Sequence, residues 1–388
     1  MRLQGFDISG FLRDHWQRRP LLIRNPWTHW ENPIDPGELA GLACEPDVES
    51  RLITETGDKW KVEHGPIDER RFRRLGERQW TLLVQAVDHH VPEVASLIAP
   101  FRFIPNWRID DVMVSCAADG GGVGPHFDHY DVFLIQGLGK RRWRVGTSSE
   151  PGAATLPHDD LRLLADFEPG EEWVLEPGDI LYVPPGFGHE GVAVGDDCMT
   201  YSIGFRAPSR GELISHWSDH LIDQFAEDDR YTDPDLAAQE NPGEIPAHAI
   251  ATLHEMVTEK MLDRDAFARW FGLHSSSPKY AELDWRPEMP TTMTAMRLHL
   301  AARPILRRNP ASRFSFVRQG AEQVLLFVDG QCFECASETR TFAELVCAQD
   351  IVTVTPKLID SDAVMDLAAT LYNQGSLGLD EQSEGAHA

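Results

Sequence analysis

The chain has 388 residues, 42% of them hydrophobic and 11 of them Trp, which is enough apolar material for two or three packed domains and excludes a disordered chain. A formal net charge of −26 excludes a general affinity for phosphate backbones; it marks either attraction to basic partners or an acid-rich, halophilic host. No apolar run is long enough to cross a bilayer, the first seven residues show no apolar signal region, and six scattered Cys fit reduced thiols, so a cytoplasmic protein is expected.

In chain order, residues 1 to about 90 read as mixed α/β. Residues 11–16 are helix-like and 19–24 form a short strand; 80–87 are apolar and lead into a helix at 91–98. From about 100 to 207 the pattern is β. Residues 111–116, 131–136, 141–145 and 199–205 are short β-branched and aromatic runs separated by Gly, Pro and Asp, as in a barrel or sandwich.

The period changes after Pro208. Ser209 and Glu212 form a capping-box pattern, and Leu213, Ile214, Trp217, Leu221 and Phe225 recur at helical spacing. Residues 227–240 are acidic and irregular, a loop. Ile250, Leu253, Val257 and Met261 mark a second helix, and Phe267 with Trp270 a third. From about 275 a small separate domain is expected. It holds a hairpin turning at Asp329-Gly330, helices at 342–346 and 364–372, and a disordered tail after Leu379. Cys332 and Cys335 lack a second pair for a zinc site and read as strand thiols.

The chemistry concentrates at His126-Phe127-Asp128 and at His189. In an extended strand alternate side chains share a face, so His126 and Asp128 point together and His129 points away. Two imidazoles and one carboxylate that leave coordination positions open are the donor set of a non-haem Fe(II) oxygenase. The glycines of 120–124 read as a flexible run before the first ligand, and 175–186 as turn, strand and turn before the second.

The same alternation puts Arg141, Trp143 and Val145 on one face, with Arg142 and Arg144 on the other. A guanidinium among Trp and Val needs an anion, either a protein acid such as Asp110 or Asp111 or a ligand carboxylate. Ser115, inward with Met113, is a ligand donor or a satisfied core hydroxyl. Tyr130 and Asp131 either hold a substrate guanidinium or pack and cap a turn. His15, His89 and His90 read as ordinary histidines.

Trp16 with Arg19-Pro20-Leu21, a Trp80 helix, 120–145 and 184–208 resemble the JmjC-type ribosomal oxygenases over almost the whole chain. The stretch Gly124-Pro125-His126-Phe127-Asp128-His129-Tyr130-Asp131 is the most specific, and is most similar to the bacterial arginine hydroxylases of large-subunit ribosomal protein L-sixteen. His129 departs from the family's Gln, and Ala117 and Thr200 from its polar cosubstrate-side residues.

The resemblance implies an α+β chain. A double-stranded β-helix (cupin/JmjC barrel) with an N-terminal α/β extension would occupy 1–208, a helical dimerisation segment 209–274, and a winged-helix-like domain 275–388. It implies Fe(II) on His126, Asp128 and His189, and 2-oxoglutarate as cosubstrate with its distal carboxylate on Arg141, Ser115 nearby. It further implies dioxygen as oxidant and hydroxylation of an arginine side chain on a ribosomal protein; the position of Tyr130 and Asp131 just after the ligands turns them toward the substrate, and the apolar stripe Leu213, Trp217, Leu221 and Phe225, which follows a finished barrel, needs the partner surface of a homodimer. Alternatives are the same chemistry on a ribosomal histidine, lysine demethylation, or a non-catalytic cupin binding module. An intact ligand set together with Arg141 speaks against the last. Direct DNA binding is not expected, because residues 275–388 carry ten basic against fifteen acidic residues and 361–372 offer acids and no base.

Overall fold

Two long strands, rather than four short ones, organise the strand-rich part of the chain. The computed structural model describes residues 3–57, 59–148 and 154–380, which fall into two units: Met1–Ala207 with Asn309–Ala311, and Pro208–Arg308 with Ser312–Ala388.

The first unit runs α1 (Ile8–Asp14), β1 (Leu21–Ile23), α2 (Pro36–Leu42), β2 (Ser50–Thr56), β3 (Lys59–His64), α3 (Glu69–Phe72), β4 (Trp80–Val84), α4 (Pro92–Ala95), β5 (Ile109–Ala117), β6 (Asp131–Ser148), β7 (Pro169–Leu175), β8 (Ile180–Val183) and β9 (Phe187–Phe205). These nine strands form one sheet in the order β1-β8-β6-β9-β5-β4-β2-β3, with β7 beside β6.

The runs at 131–136 and 141–145 are halves of β6. Between them the register against β9 breaks at Gln136/Leu138 and again at Leu138/Lys140. Gly139 there has φ +59°, and a Cβ on it would lie 2.9 Å from the carbonyl oxygens of Asp196 and Asp197. The first half of β6 pairs with β8 and the second with β7, so one bent strand serves two neighbours.

Alternation along these strands feeds two apolar layers. Phe133, Ile135, Tyr182 and Tyr201 pack with Phe11, Leu39 and Phe101 of the N-terminal extension. Val132, Leu134, Trp143, Leu181 and Val183 form the other layer. A sheet buried on both faces explains why these strands read as continuous apolar runs.

Two expectations fail here. The Trp80 segment is strand β4, not a helix, paired with β2 and β5. The helix at 91–98 stops after Ala95 and continues only as a 3₁₀ turn, Ser96–Phe101, which contains Pro100.

The second unit runs α5 (Arg210–Ile222), α6 (Ala247–Met261), α7 (Arg264–Ser276), α8 (Met293–Ala302), β10 (Ile305–Arg308), β11 (Phe314–Gln319), β12 (Gln323–Val328), β13 (Gln331–Ala336), α9 (Ser337–Ala348), β14 (Ile351–Thr353), α10 (Pro356–Asp360), α11 (Asp362–Asn373) and β15 (Leu377–Leu379). Ser209 caps α5 in a full capping box with Glu212. The β12–β13 hairpin turns on Asp329 (φ +49°) and Gly330 (φ +77°), the two left-handed residues that a type I′ turn requires. Cys332 and Cys335 lie in β13 as free thiols. The tail expected to be disordered falls, beyond Asp380, outside the described residues.

The apolar stripe of α5 is divided. Trp217 and Leu221 are buried against Trp270 and Phe267 of α7, with the Trp217 and Trp270 rings 5.3 Å apart. Ile214 and Ile222 stay exposed, Ile222 at 64%. No residue of α6 is buried, and its Ile250, Leu253 and Val257 are exposed. Trp217 therefore packs within its own unit and does not wait for a partner surface. Trp217→Ala should cost about 3–5 kcal/mol of stability in chemical denaturation; a cost under about 1 kcal/mol would contradict this packing.

Candidate active site

Backbone pairing carries the three expected ligands together. His126 lies in the extended connection between β5 and β6, not in a regular strand. It forms an isolated antiparallel bridge with His189: the His126 amide donates to the His189 carbonyl at 3.0 Å, and the His189 amide donates back at 2.8 Å. The Gly186 amide donates to the Asp128 carbonyl at 2.7 Å. The glycine run before His126 is a close-packing device, not a flexible one. Gly121 and Gly122 are buried, and a Cβ on Gly122 would lie 2.7 Å from the Gly191 carbonyl oxygen.

One ligating atom each from His126, Asp128 and His189 lies within 4.8 Å of the others. His126 Nδ1 is 3.0 Å from the Gly124 carbonyl and His189 Nδ1 is 3.0 Å from the Phe187 carbonyl. A carbonyl only accepts, so both Nδ1 atoms carry a proton, which leaves the two Nε2 atoms as the ring nitrogens able to face a metal. Burial, then the facing His126, push the His189 imidazole from 6.5 down to about 4, so it is neutral at physiological pH. His129 is exposed, packs edge-on to Phe127 and does not join the three.

The three share a cavity of about 470 Å³ with Arg141, Ser115, Trp143, Thr200 and Tyr130. Arg141 is 3% exposed. Its terminal nitrogen donates to Ser115 Oγ at 3.4 Å, and its buried Nε has no partner. Neither acid named as a rival partner engages it. Asp111 instead accepts from Gln85 Nε2 at 2.7 Å and the Ala86 amide at 3.0 Å. Lys140, the other base nearby, is half exposed and pairs with Glu176 at 2.6 Å. Holding a guanidinium out of water without a counter-charge costs several kcal/mol, so the cavity is built for an anion. Ser115 Oγ itself reaches the Thr200 carbonyl at 3.4 Å.

Two imidazole Nε2 atoms and a carboxylate oxygen fit a divalent iron with coordination positions left over. The unpaired guanidinium in the same cavity fits a small dicarboxylate.

Tyr130 is 42% exposed on the cavity wall. Asp131 is placed elsewhere, which corrects its expected substrate role. Its carboxylate is fully buried, away from the cavity wall, and accepts from Tyr182 Oη at 2.6 Å, Gln17 Nε2 at 3.0 Å and Arg108 at 3.1 Å. Burial pushes its pKa up, opposed by those three donors.

Leu161, Arg162 and Leu163 also line the cavity, and no motif or periodicity in the chain marks them. Their segment is irregular and is held by long-range contacts: the Leu164 amide donates to the Pro125 carbonyl at 2.8 Å, and Asp160 meets His64 at 3.0 Å.

The JmjC domain family matches residues 96–213, and the ROXA-like winged helix matches residues 259–378. The chain is 45% identical over 280 residues to the ribosomal protein uL16 3-hydroxylase of Escherichia coli (strain K12), covering 72% of this chain and 74% of that protein. It is 38% identical over 277 residues to a probable ribosomal oxygenase of Haemophilus influenzae, covering 67% and 66%. The solved structure of YcfD, a ribosomal oxygenase from Escherichia coli in complex with cobalt and 2-oxoglutarate, superposes with a TM-score of 0.84 at 37% identity, covering 97% of this chain and 99% of that one. The expected α+β architecture, a JmjC barrel followed by a winged-helix domain, is the one these matches share.

Three variants separate ligands from scaffold. His126→Ala or His189→Ala should weaken Co(II) binding, followed by visible absorption, by roughly 100-fold or more while the unfolding transition stays cooperative. Unchanged Co(II) affinity would remove that residue from the ligand set. Asp131→Ala should instead lose about 3–5 kcal/mol of stability, since it leaves Arg108 as an uncompensated buried charge. Unchanged stability with weakened substrate binding would restore its expected role.

Proposed function

Because this chain belongs to the JmjC-type ribosomal oxygenases, we propose that it hydroxylates one arginine side chain of a large-subunit ribosomal protein. It is a 2-oxoglutarate-dependent dioxygenase that works with iron. The observation that carries the reading is one cavity in which three converging metal-ligand groups meet a buried, uncompensated guanidinium.

In this reading His126, Asp128 and His189 hold Fe(II), while Arg141, with Ser115, takes the distal carboxylate of 2-oxoglutarate. When bound, metal and cosubstrate together activate dioxygen, leaving one oxygen atom in a substrate C–H bond and giving succinate and carbon dioxide. The protein's own part is positional. The Gly124 and Phe187 carbonyls fix both imidazoles with Nε2 toward the metal. Val132, Leu134 and Trp143 present an apolar wall that limits water in the cavity. Tyr130, at the exposed edge, offers a ring face to a cationic side chain, and carboxylates on the wall, Asp110 and Asp160 among them, suit the same charge. The net charge of −26 supports recruitment of a basic ribosomal protein and disfavours direct DNA binding. The cytoplasm, where ribosomal proteins are made, is the proposed location. Among the described residues no helix is long and apolar enough to cross a membrane.

The test is anaerobic loading with Fe(II) and 2-oxoglutarate, exposure to air with purified ribosomal proteins, and intact-mass analysis. One large-subunit protein should gain one oxygen, mapped by fragmentation to an arginine. A gain on histidine, or loss of methyl groups from lysine, would move the reading to another substrate class, and no change on any protein would contradict it. Arg141→Ala should raise the half-saturating 2-oxoglutarate concentration roughly 30- to 150-fold, about 2–3 kcal/mol for a lost charge-assisted pair.

We propose further that α5 and α6 form a homodimer. Ile214, Ile222, Ile250 and Val257 leave an apolar surface that water disfavours. The native chain should sediment as a dimer and Ile222→Glu/Val257→Glu as a folded monomer; identical sedimentation of the two would sink the dimer.

A further inference from the structure

Residues 161–163 reach the cavity wall through a turn built on His158, an imidazole outside the ligand set. Their segment lies in the connection between β6 and β7 and folds back on itself. Thr155 and Leu164 form an antiparallel bridge, the Leu156 amide donates to the Leu163 carbonyl at 2.8 Å, and the Ala165 amide donates to the Ala154 carbonyl at 2.9 Å. At the tip of this hairpin the amides of Asp160 and Leu161 both donate to His158 Nδ1, each at 3.1 Å. An accepting Nδ1 carries no proton, so the neutral ring carries it on Nε2. Nε2 lies 3.4 Å from the Trp60 carbonyl of β3, which only accepts. The three contacts agree on one tautomer, and one side chain both caps the tip and ties it to the sheet. The other tie, His64 to Asp160 at 3.0 Å, joins side chains that are 60% and 38% exposed, where an ion pair contributes little.

The base of the hairpin is fixed separately, against the backbone beside the metal ligands. The Leu164 amide donates to the Pro125 carbonyl. A Cβ on Gly124 would lie 2.6 Å from Leu163 Cδ2, and one on Gly188 would lie 3.0 Å from Leu164 Cδ1, so both buried leucines pack on bare backbone next to His126 and His189. Base and tip therefore do different work. The base braces the ligands, and the tip places Asp160, Leu161 and Arg162 on the cavity wall. The cosubstrate end of that cavity is closed, since Arg141, Ser115 and Thr200 are buried. Tyr130, Asp160 and Arg162 are exposed. A side chain carried by another protein enters at the exposed end, where the tip stands.

We propose that His158 is a positioning residue for the protein substrate: by capping and tethering the hairpin tip it fixes the outer cavity wall against which the incoming side chain seats. The inference rests on the reading of the chain as a ribosomal protein hydroxylase. A tip without its cap samples conformations in which Asp160 and Leu161 leave the wall, and only the ordered fraction binds substrate.

The test is steady-state hydroxylation of the ribosomal protein that gains oxygen in the mass experiment, by the native chain, His158→Ala and His158→Asn. An Asn side chain accepts from amides two and three residues on, as His158 does, but cannot reach the Trp60 carbonyl as well. His158→Ala should raise KM for the protein substrate roughly ten-fold, the loss when the competent tip is populated about one time in ten, with kcat near native. Co(II) affinity and the half-saturating 2-oxoglutarate concentration should not change, because the base is untouched. Amide exchange in peptides covering 154–165 should rise in His158→Ala, and His158→Asn should bring both exchange and KM most of the way back. An unchanged KM in His158→Ala overturns the proposal. So does a raised KM that His158→Asn does not relieve, or one matched by equal losses of Co(II) and 2-oxoglutarate affinity, since general loosening of the site would then account for it. Native turnover with an unaffected His158→Ala removes only the role of His158. A native chain that oxidises none of the ribosomal proteins contradicts the hydroxylase reading, and the proposal falls with it.

Discussion

Two backbone hydrogen bonds between His126 and His189 are the constraint on which the site depends. They join the end of a glycine-rich connection to the start of β9, alongside the Gly120 and Ala193 amides, which donate to the Ala193 and Gly121 carbonyls. Once they form, the register of β9 against β6 sets where Arg141 and Trp143 stand relative to the ligands: Val145 pairs with His189, Trp143 with Gly191 and Arg141 with Ala193. Ligand geometry, anchor and aromatic wall are thus one consequence of one register. Because strand side chains alternate with a period of two, a slip of one residue would turn Arg141 and Trp143 outward together.

The two buried charges near the cavity show how structure and binding differ. Asp131 is buried and answered by three donors from Tyr182, Gln17 and Arg108. Arg141 is buried and answered by one long contact to Ser115. Both are costly to bury. The first has its compensation inside the protein and acts as a structural tie between the extension and the sheet. The second lacks compensation, which is the physical signature of a group whose partner arrives from solution.

Much of the site was legible because its residues carry unambiguous chemistry or strict alternation. His126, Asp128 and His189 stood out by donor type, and Arg141, Trp143 and Val145 by period; all three of the latter are buried. The Ser209 cap and the Asp329-Gly330 turn were equally readable, since each is decided by adjacent residues. What failed was decided at a distance. Asp131 sits next to Tyr130 in sequence, yet its fate depends on Gln17, more than a hundred residues earlier. Trp217 belongs to an apolar stripe whose cover, Trp270, lies two helices later. The wall formed by Leu161 to Leu163 rests on partners distant in sequence, the Pro125 carbonyl for the Leu164 amide and His64 for Asp160. The Trp80 segment is apolar enough for either helix or strand, and its pairing with β2 and β5 decides it.

The central claim is that metal and dicarboxylate occupy one cavity side by side, chelate and anchor at once. An anaerobic titration of the Fe(II)-loaded protein with 2-oxoglutarate, followed by visible absorption, tests it most directly, since a keto acid bound to Fe(II) through its keto and carboxylate oxygens gives a charge-transfer band. The account predicts a saturable band in the native protein, none in His126→Ala, and a band displaced to much higher 2-oxoglutarate concentration in Arg141→Ala. A native protein that binds both iron and 2-oxoglutarate yet develops no band would contradict it.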